Sequence, residues 1–233
     1  MKKRPLPALL ILLPILLLPI LACNPTTPNP PPPRPKTGTA AAEVAKPLPT
    51  PTGDQSFDYY LLNLSWSPEF CYSHREAPEC SQHFAFVLHG LWPQNLSGQW
   101  PQNCSNDPGP ADPSQFADIY PDSHLLNHEW RTHGTCSGLS PDAFFTTARA
   151  AFRSVAIPTQ LTSLTQQISM PPDEILHLFT KSNPSIPRSS LALSCGNNYL
   201  TAIEVCLTKQ LQPTDCGPIR SCRANTVRIP PPQ

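Results

Sequence analysis

Residues 128–136, HEWRTHGTC, place two histidines, a glutamate, an arginine and a cysteine within nine positions. Three chemistries compete for such a stretch: a metal site, an acid–base cluster, and a polar helix end. Zinc hydrolases that take two histidines from one helix space them four apart, so that both point at one ion. His128 and His133 are five apart and differ by about 140° around a helix. A regular helix does not easily bring both to one ion, and no second histidine-rich cluster with metal spacing follows. With His128 at zero on the helical wheel, Thr132 falls at about 40°, Glu129 at about 100° and His133 at about 140°, while Trp130 and Arg131 fall outside, at about 200° and 300°. The polar sector suits a solvated face, but such faces are more readily built from Lys and Glu than from two imidazoles beside one carboxylate. Imidazole changes protonation state near neutral pH, and a nearby carboxylate orients it or raises its pKa. That is the chemistry of general acid–base catalysis.

A third histidine ends the apolar run in HFAFVLHGLWP, residues 83–93. His89 alone would be structural; beside the helix cluster it becomes a second acid–base candidate. Gly90 after it permits a tight backbone turn, and Trp92 and Pro93 follow. Several elements must position these groups. The first half of FDYYLLNLSWSPEFC, residues 57–71, predicts a strand. HFAFVLHGLWP is apolar at Phe84/Phe86/Leu88 and at Ala85/Val87, which predicts a central strand buried on both faces. Residues 94–113, rich in Asn, Gln, Pro, Ser and Gly, predict a loop. SHLLNHEWRTHGTC, residues 123–136, predicts a helix stopping at Gly134 as C-terminal cap. Ser140 and Pro141 are the N-cap and first turn of another helix, with Phe144, Ala148, Ala151 and Phe152 at helical spacing. PPDEILHLFTKSN predicts a short helix, and YLTAIEVCL, residues 199–207, alternates as a strand. Strands and helices mix without regular alternation, and no glycine-rich nucleotide loop appears. The class is α+β, a central antiparallel sheet packed by helices.

The chain carries more than this domain. Lys2, Lys3 and Arg4 precede an apolar run from Leu6 to Ala22, the charged and apolar regions of an export signal. A membrane-spanning helix is the rival, since roughly 17 residues is marginal for a span. Pro7, Pro14 and Pro19 disfavour a helix there. Residues 1–22 are therefore read as the signal. It ends Ile20-Leu21-Ala22-Cys23, similar to the lipobox of bacterial lipoproteins, in which the cysteine is lipidated; a simple secretory cut near Ala22 is the alternative. The chain has nine cysteines, and lipid on Cys23 would leave an even eight. Residues 24–53 hold ten prolines and no aromatics; such a segment buries too little to offset the entropy of folding. Residues 23–53 are read as an extended spacer. Residues 54–233 form one domain, whose eight cysteines fit disulfides in an oxidising compartment. Of the 16 basic and 16 acidic residues, six basic and one acidic fall in residues 1–53, leaving 10 and 15, a net of −5. That excludes nucleic-acid binding by a broadly basic surface and leaves room for a local cationic site.

HGLWP and HEWRTHGTC resemble the two active-site segments of the ribonuclease T2 family, the secreted acid ribonucleases, and occur in the family's order. LLNLSWSPEFC is similar to that family's first strand, and CGNNYLTAIEVCL and LQPTDC to its C-terminal part. The resemblance covers residues 57 to about 222 and omits the leader, the spacer and the tail. It implies an endoribonuclease that needs no metal or other cofactor and acts on single-stranded RNA through the ribose 2′-hydroxyl. The products would be 2′,3′-cyclic phosphate and 5′-hydroxyl ends. DNA would not be cut, the protein would be a monomer, and its membrane contact would be the lipid on Cys23 of an exported, periplasmic or surface protein.

By the same resemblance His133 is the base, His89 the acid, His128 a phosphate contact and Glu129 a transition-state stabiliser. Trp92 stands where the family stacks a base, or is a core tryptophan. Gln94 stands where some relatives carry a base-binding aspartate, so base preference does not carry over. Leu125 and Leu126 occupy positions where relatives often place aromatics. Thr132 replaces a lysine of the family's pattern, which puts the activity level in doubt. Arg131 lies about 100° from it on the wheel and is either a substitute cation or, as the offset favours, a surface charge. Eight cysteines allow 105 pairings; the resemblance implies Cys71–Cys80, Cys104–Cys136, Cys195–Cys222 and Cys206–Cys216. The alternatives are a weak or inactive member serving as an RNA- or protein-binding module, which Thr132 supports, then a zinc hydrolase, then a cysteine hydrolase.

Overall fold

A computed structural model describes residues 47–53 and 55–232. The export signal at 1–22, Cys23 and the spacer up to residue 46 lie outside the described residues. Thr52 and Gly53, at the end of the stretch read as spacer, both donate their backbone N–H to the Gly138 carbonyl at 2.9 Å.

The domain is α+β. Its sheet centres on strands β1 (Tyr59–Trp66) and β5 (Tyr199–Leu207), which pair antiparallel. Strand β2 (Phe86–Gln94) pairs with the other side of β1, and β4 (Leu191–Gly196) pairs antiparallel with β5. Strands β3 (Ile168–Met170) and β6 (Val227–Ile229) pair antiparallel with each other, and β6 meets β5 at Tyr199 in parallel. Among the described residues, five α-helices accompany the sheet: α1 (Ser67–Ser73), α2 (Ser123–Thr132), α3 (Pro141–Arg153), α4 (Thr159–Thr162) and α5 (Pro172–Ser182).

Alternation along β1 builds two different faces. Tyr60, Leu62, Leu64 and Trp66 join the main core with Phe144, Phe145, Ala148 and Ala151 of α3 and Ile175, Leu176 and Phe179 of α5. Tyr59 and Leu61 pack in a smaller cluster with Cys206, Cys216 and Trp92. Ser140 caps α3 by accepting from the Ala143 N–H at 3.4 Å, and Pro141 sits at its first turn. Four disulfides join Cys71 to Cys80, Cys104 to Cys136, Cys195 to Cys222 and Cys206 to Cys216.

Two sequence expectations are corrected. Strand β2 is an edge strand of the sheet, not a central one. Its core face is Phe86, Leu88 and Leu91; Val87 is only half-buried, and Phe84 lies outside the strand and is exposed. The second apolar face of the run is thus only partly covered, with Ala85 and Val87 half-buried. Helix α2 ends at Thr132, with His133 at the C-cap, and Gly134 opens a short 3-10 turn through Cys136. Gly134 takes no left-handed conformation. It is required for space, since a Cβ there would lie 2.4 Å from Trp130 Cε3 and 3.0 Å from Phe144 Cδ1.

Candidate active site

The register between β1 and β2 slips once. Asn63 pairs with Gly90 and Leu64 with Leu88, which leaves His89 as the extra residue of a β-bulge. A bulge bends its strand and re-aims the side chain it carries. His89 turns to the face of β1 that bears Ser65, and a 3.1 Å hydrogen bond joins His89 Nδ1 to Ser65 Oγ. The opposite edge of the ring, Nε2, stands 3.7 Å from Glu129 Oε1.

Helix α2 delivers the glutamate. Asp122 caps it by accepting from the His124 N–H at 2.8 Å. Leu126 and Trp130 anchor it in the core, and Trp130 Nε1 donates to the Asp107 carbonyl at 2.8 Å. These contacts press Glu129, one residue from Trp130, fully out of solvent. Its Oε2 accepts from Trp92 Nε1 at 2.8 Å, while Oε1 is buried without a hydrogen-bond partner in the protein. The carboxylate fits because residue 90 is glycine: a Cβ there would lie 2.0 Å from Glu129 Oε2 and 2.2 Å from Trp92 Nε1. Gly90 thus serves close approach rather than the tight turn expected of it. At the helix end, the His133 N–H closes on the Glu129 carbonyl at 3.0 Å. The His133 ring stacks on Trp92 with centroids 5.1 Å apart at 27°, and His89 meets the same indole edge-on at 5.3 Å. One tryptophan therefore touches both histidines and the glutamate. The Cys104–Cys136 bridge and the Asn103 N–H to Thr132 carbonyl bond, 2.9 Å, hold the helix end.

Burial governs the protonation states. It lowers the His133 pKa to about 4, with His128 and His89 adding repulsion against a further proton. Burial, then His128, also lowers His89 below the ordinary imidazole value. Burial raises Glu129 to about 8, against the opposing pull of the Trp92 hydrogen bond. A neutral carboxyl can donate a hydrogen bond as well as accept one. His133 Nδ1 is, like Glu129 Oε1, buried without a partner. Such orphaned groups cost folding free energy and are held here by the surrounding packing.

The sequence model of the Ribonuclease T2 family matches residues 57–216. The chain belongs to the ribonuclease T2 family. A ribonuclease of Aeromonas hydrophila is 48% identical over 89 residues, 38% of this chain and 41% of that protein. A protein of Haemophilus influenzae named a probable ribonuclease is 32% identical over 179 residues, 68% of this chain and 61% of the relative. The chain thus spans less than two thirds of these relatives' own lengths. Among solved structures, RNase NT in complex with 5′-AMP superposes with a TM-score of 0.56 at 21% identity, covering 76% of this chain and 99% of that one. That likeness concerns the fold.

Within this T2-family domain, His89, Trp92, Glu129 and His133 meet at one point, and His128 is exposed on the adjoining turn of α2. Thr132 is half-buried between them on the helix. Gln94 is buried at the end of β2, paired with Tyr59. Leu126 lies in the core and Leu125 is half-buried against it. Arg131 is exposed and takes no part in the ion pairs of the described residues, which engage Arg149, Arg153 and Arg188. Ser65 was missed from the sequence. Its signal was the alternation of β1, in which Asn63 and Ser65 interrupt one face while Leu62, Leu64 and Trp66 keep the other apolar.

Proposed function

We propose that this T2-family chain is an endoribonuclease that cleaves single-stranded RNA by internal transesterification and needs no metal ion. The observation that supports it most is the placement of His89 beside the buried Glu129 carboxyl and of both imidazoles, His89 and His133, against the one indole that bonds that carboxyl. His133, neutral above about pH 4, takes the proton of the ribose 2′-hydroxyl. The 2′-oxygen attacks the adjacent phosphorus, and the bond from phosphorus to the 5′-oxygen breaks. His89 Nε2 gives its proton to that leaving oxygen, with Ser65 holding the ring through Nδ1. The products are a 2′,3′-cyclic phosphate and a 5′-hydroxyl. DNA has no 2′-hydroxyl and does not react.

Negative charge grows on the phosphoryl oxygens as the fifth bond forms, so donors aimed there stabilise the transition state. Glu129, kept protonated by burial, donates from Oε1, the atom the protein leaves unpaired. A buried carboxylic acid used as a donor is an established device. His128, exposed beside it, offers a second donor. His133 covers one face of Trp92, so base stacking on that ring is confined to the other face.

The pH dependence follows in sign. The base works above its pKa of about 4, and the acid works only while protonated, below a pKa that burial sets lower than the usual 6.5. The profile of kcat/KM, which reports the free enzyme, should be a bell confined to acid pH. A rate rising steadily to pH 9 would contradict the pair.

Thr132 favours a second reading, a member whose fold binds RNA without efficient turnover. Thr132→Lys should raise the cleavage rate roughly tenfold, since a hydrogen bond from a charged donor is worth about 1.5–3 kcal/mol. A wild type with no turnover and a Thr132→Lys variant with no gain would together favour the binding module.

A further inference from the structure

A cleft of about 480 Å³ opens beside α2. The loop from Asn103 to Gly109 forms one wall, and His124, Asn127 and Arg131 of α2 form the other. The loop is fixed in advance. The Asn103 N–H donates to the Thr132 carbonyl, the Cys104 N–H donates to Thr135 Oγ1 at 3.1 Å, and Cys104 is tied to Cys136. Trp130 holds the Asp107 carbonyl from below. Asn103 is kept at φ 53° by these contacts, a left-handed conformation uncommon outside glycine. At the far end the loop backbone comes so close to α2 that a Cβ on Gly109 would lie 3.3 Å from Asn127 Oδ1.

The walls present amides, one hydroxyl, an imidazole and a guanidinium. The carboxylate among them, Asp107, accepts from Ser105 Oγ at 2.7 Å. Arg131 is outside every ion pair of the described residues, in a domain whose net charge is −5. A guanidinium with five fixed donors matches a phosphate better than any other side chain.

The position of the cleft narrows its ligand. His124, His128 and Arg131 stand at i, i+4 and i+7, one ridge of α2. His128 in the middle adjoins Glu129; His124 and Arg131 line the cleft. A single strand whose scissile phosphate sits at His128 therefore meets Arg131 three residues on, with Cβ atoms roughly 5–6 Å apart, a step comparable to that between successive phosphates. We propose that this cleft is a subsite for the flanking phosphodiester of the same RNA strand, one nucleotide from the scissile bond. Arg131 holds that phosphate, and Asn103 and Asn127 meet the sugar or base edge attached to it. The inference rests on the ribonuclease reading for the placement of the scissile phosphate.

Binding of uncleavable 2′-O-methyl oligoribonucleotides tests it without relying on turnover. Fluorescence anisotropy on the full chain with its disulfides formed would compare a dinucleotide with a hexanucleotide. The wild type should prefer the hexamer, and Arg131→Gln should cut that preference about tenfold, the scale of one charge-assisted contact. The slope of log Kd against log salt should fall by about 0.7, the loss of one phosphate contact on a single strand. Asn127→Asp, an exposed change that sets a carboxylate in the cleft, should act in the same direction. An unchanged preference in both variants, equal affinity for both lengths, or no binding of either would overturn the subsite. A protein that shows the Arg131-dependent preference but leaves natural RNA uncut would keep the subsite and lose the ribonuclease reading.

Discussion

Replacing His133 with alanine should lower RNA cleavage by roughly 10²- to 10⁴-fold, the range for removing one general base. The ring has no hydrogen bond from Nδ1 to lose, so its structural part is the stack on Trp92. The fall should therefore appear in kcat, with KM for RNA little changed. Steady-state kinetics near pH 5 on a variant shown to be folded would check it. A loss below tenfold would mean that another group takes the 2′-hydroxyl proton. A pKa of about 4 for His133 would weaken it as a proton acceptor while keeping it neutral above that pH.

The second large effect is expected at a residue with no side chain. Gly90→Ala would set a methyl group 2.0 Å from Glu129 Oε2 and 2.8 Å from Glu129 Cδ, distances no packing can hold. Glu129 is fully buried and Trp92 is clamped between the two histidines, so neither can step aside alone. Activity should drop at least about 100-fold, as displacements near 1 Å in a catalytic constellation do. Overpacking should cost about 1–3 kcal/mol of stability. Kinetics and thermal unfolding together check this, and near-wild-type activity would show that the carboxylate is not where catalysis needs it.

Much of this site is visible in HEWRTHGTC alone, and the reason is physical. Helical periodicity separates Glu129 and His133 from Trp130 and Arg131, and α2 is indeed a helix with Trp130 in the core and Arg131 in solvent. What the wheel hides is that Glu129, which looks like part of a solvated sector, is buried, because strand β2 lies against that side of the helix. His89 is less legible. Its aim depends on a bulge, which inserts one residue without any change in composition. The same bulge switches the alternation of β2, with Phe86 and Leu88 facing the core before it and Leu91 after it. Pattern alone suggests conformational roles for the two glycines, as turn and as cap, yet both are demanded by packed neighbours: Glu129 and Trp92 for Gly90, Trp130 and Phe144 for Gly134. Trp92 is the clearest case of a role no pattern announces. Its position in HGLWP suggests a base platform, while its indole N–H is committed to Glu129. Local patterns carry which residues are reactive; long-range packing decides which of them are buried and what each one touches.

The most direct test of the account is to incubate the disulfide-bonded protein with single-stranded RNA and with DNA of matched sequence, in EDTA, at pH 4 to 8, and to identify the product ends. Metal-independent cleavage of RNA alone, leaving 2′,3′-cyclic phosphate and 5′-hydroxyl ends and lost in His89→Ala and His133→Ala, is the predicted result. Cleavage abolished by EDTA, cleavage of the DNA, or 5′-phosphate ends would contradict transfer through the 2′-hydroxyl by this histidine pair.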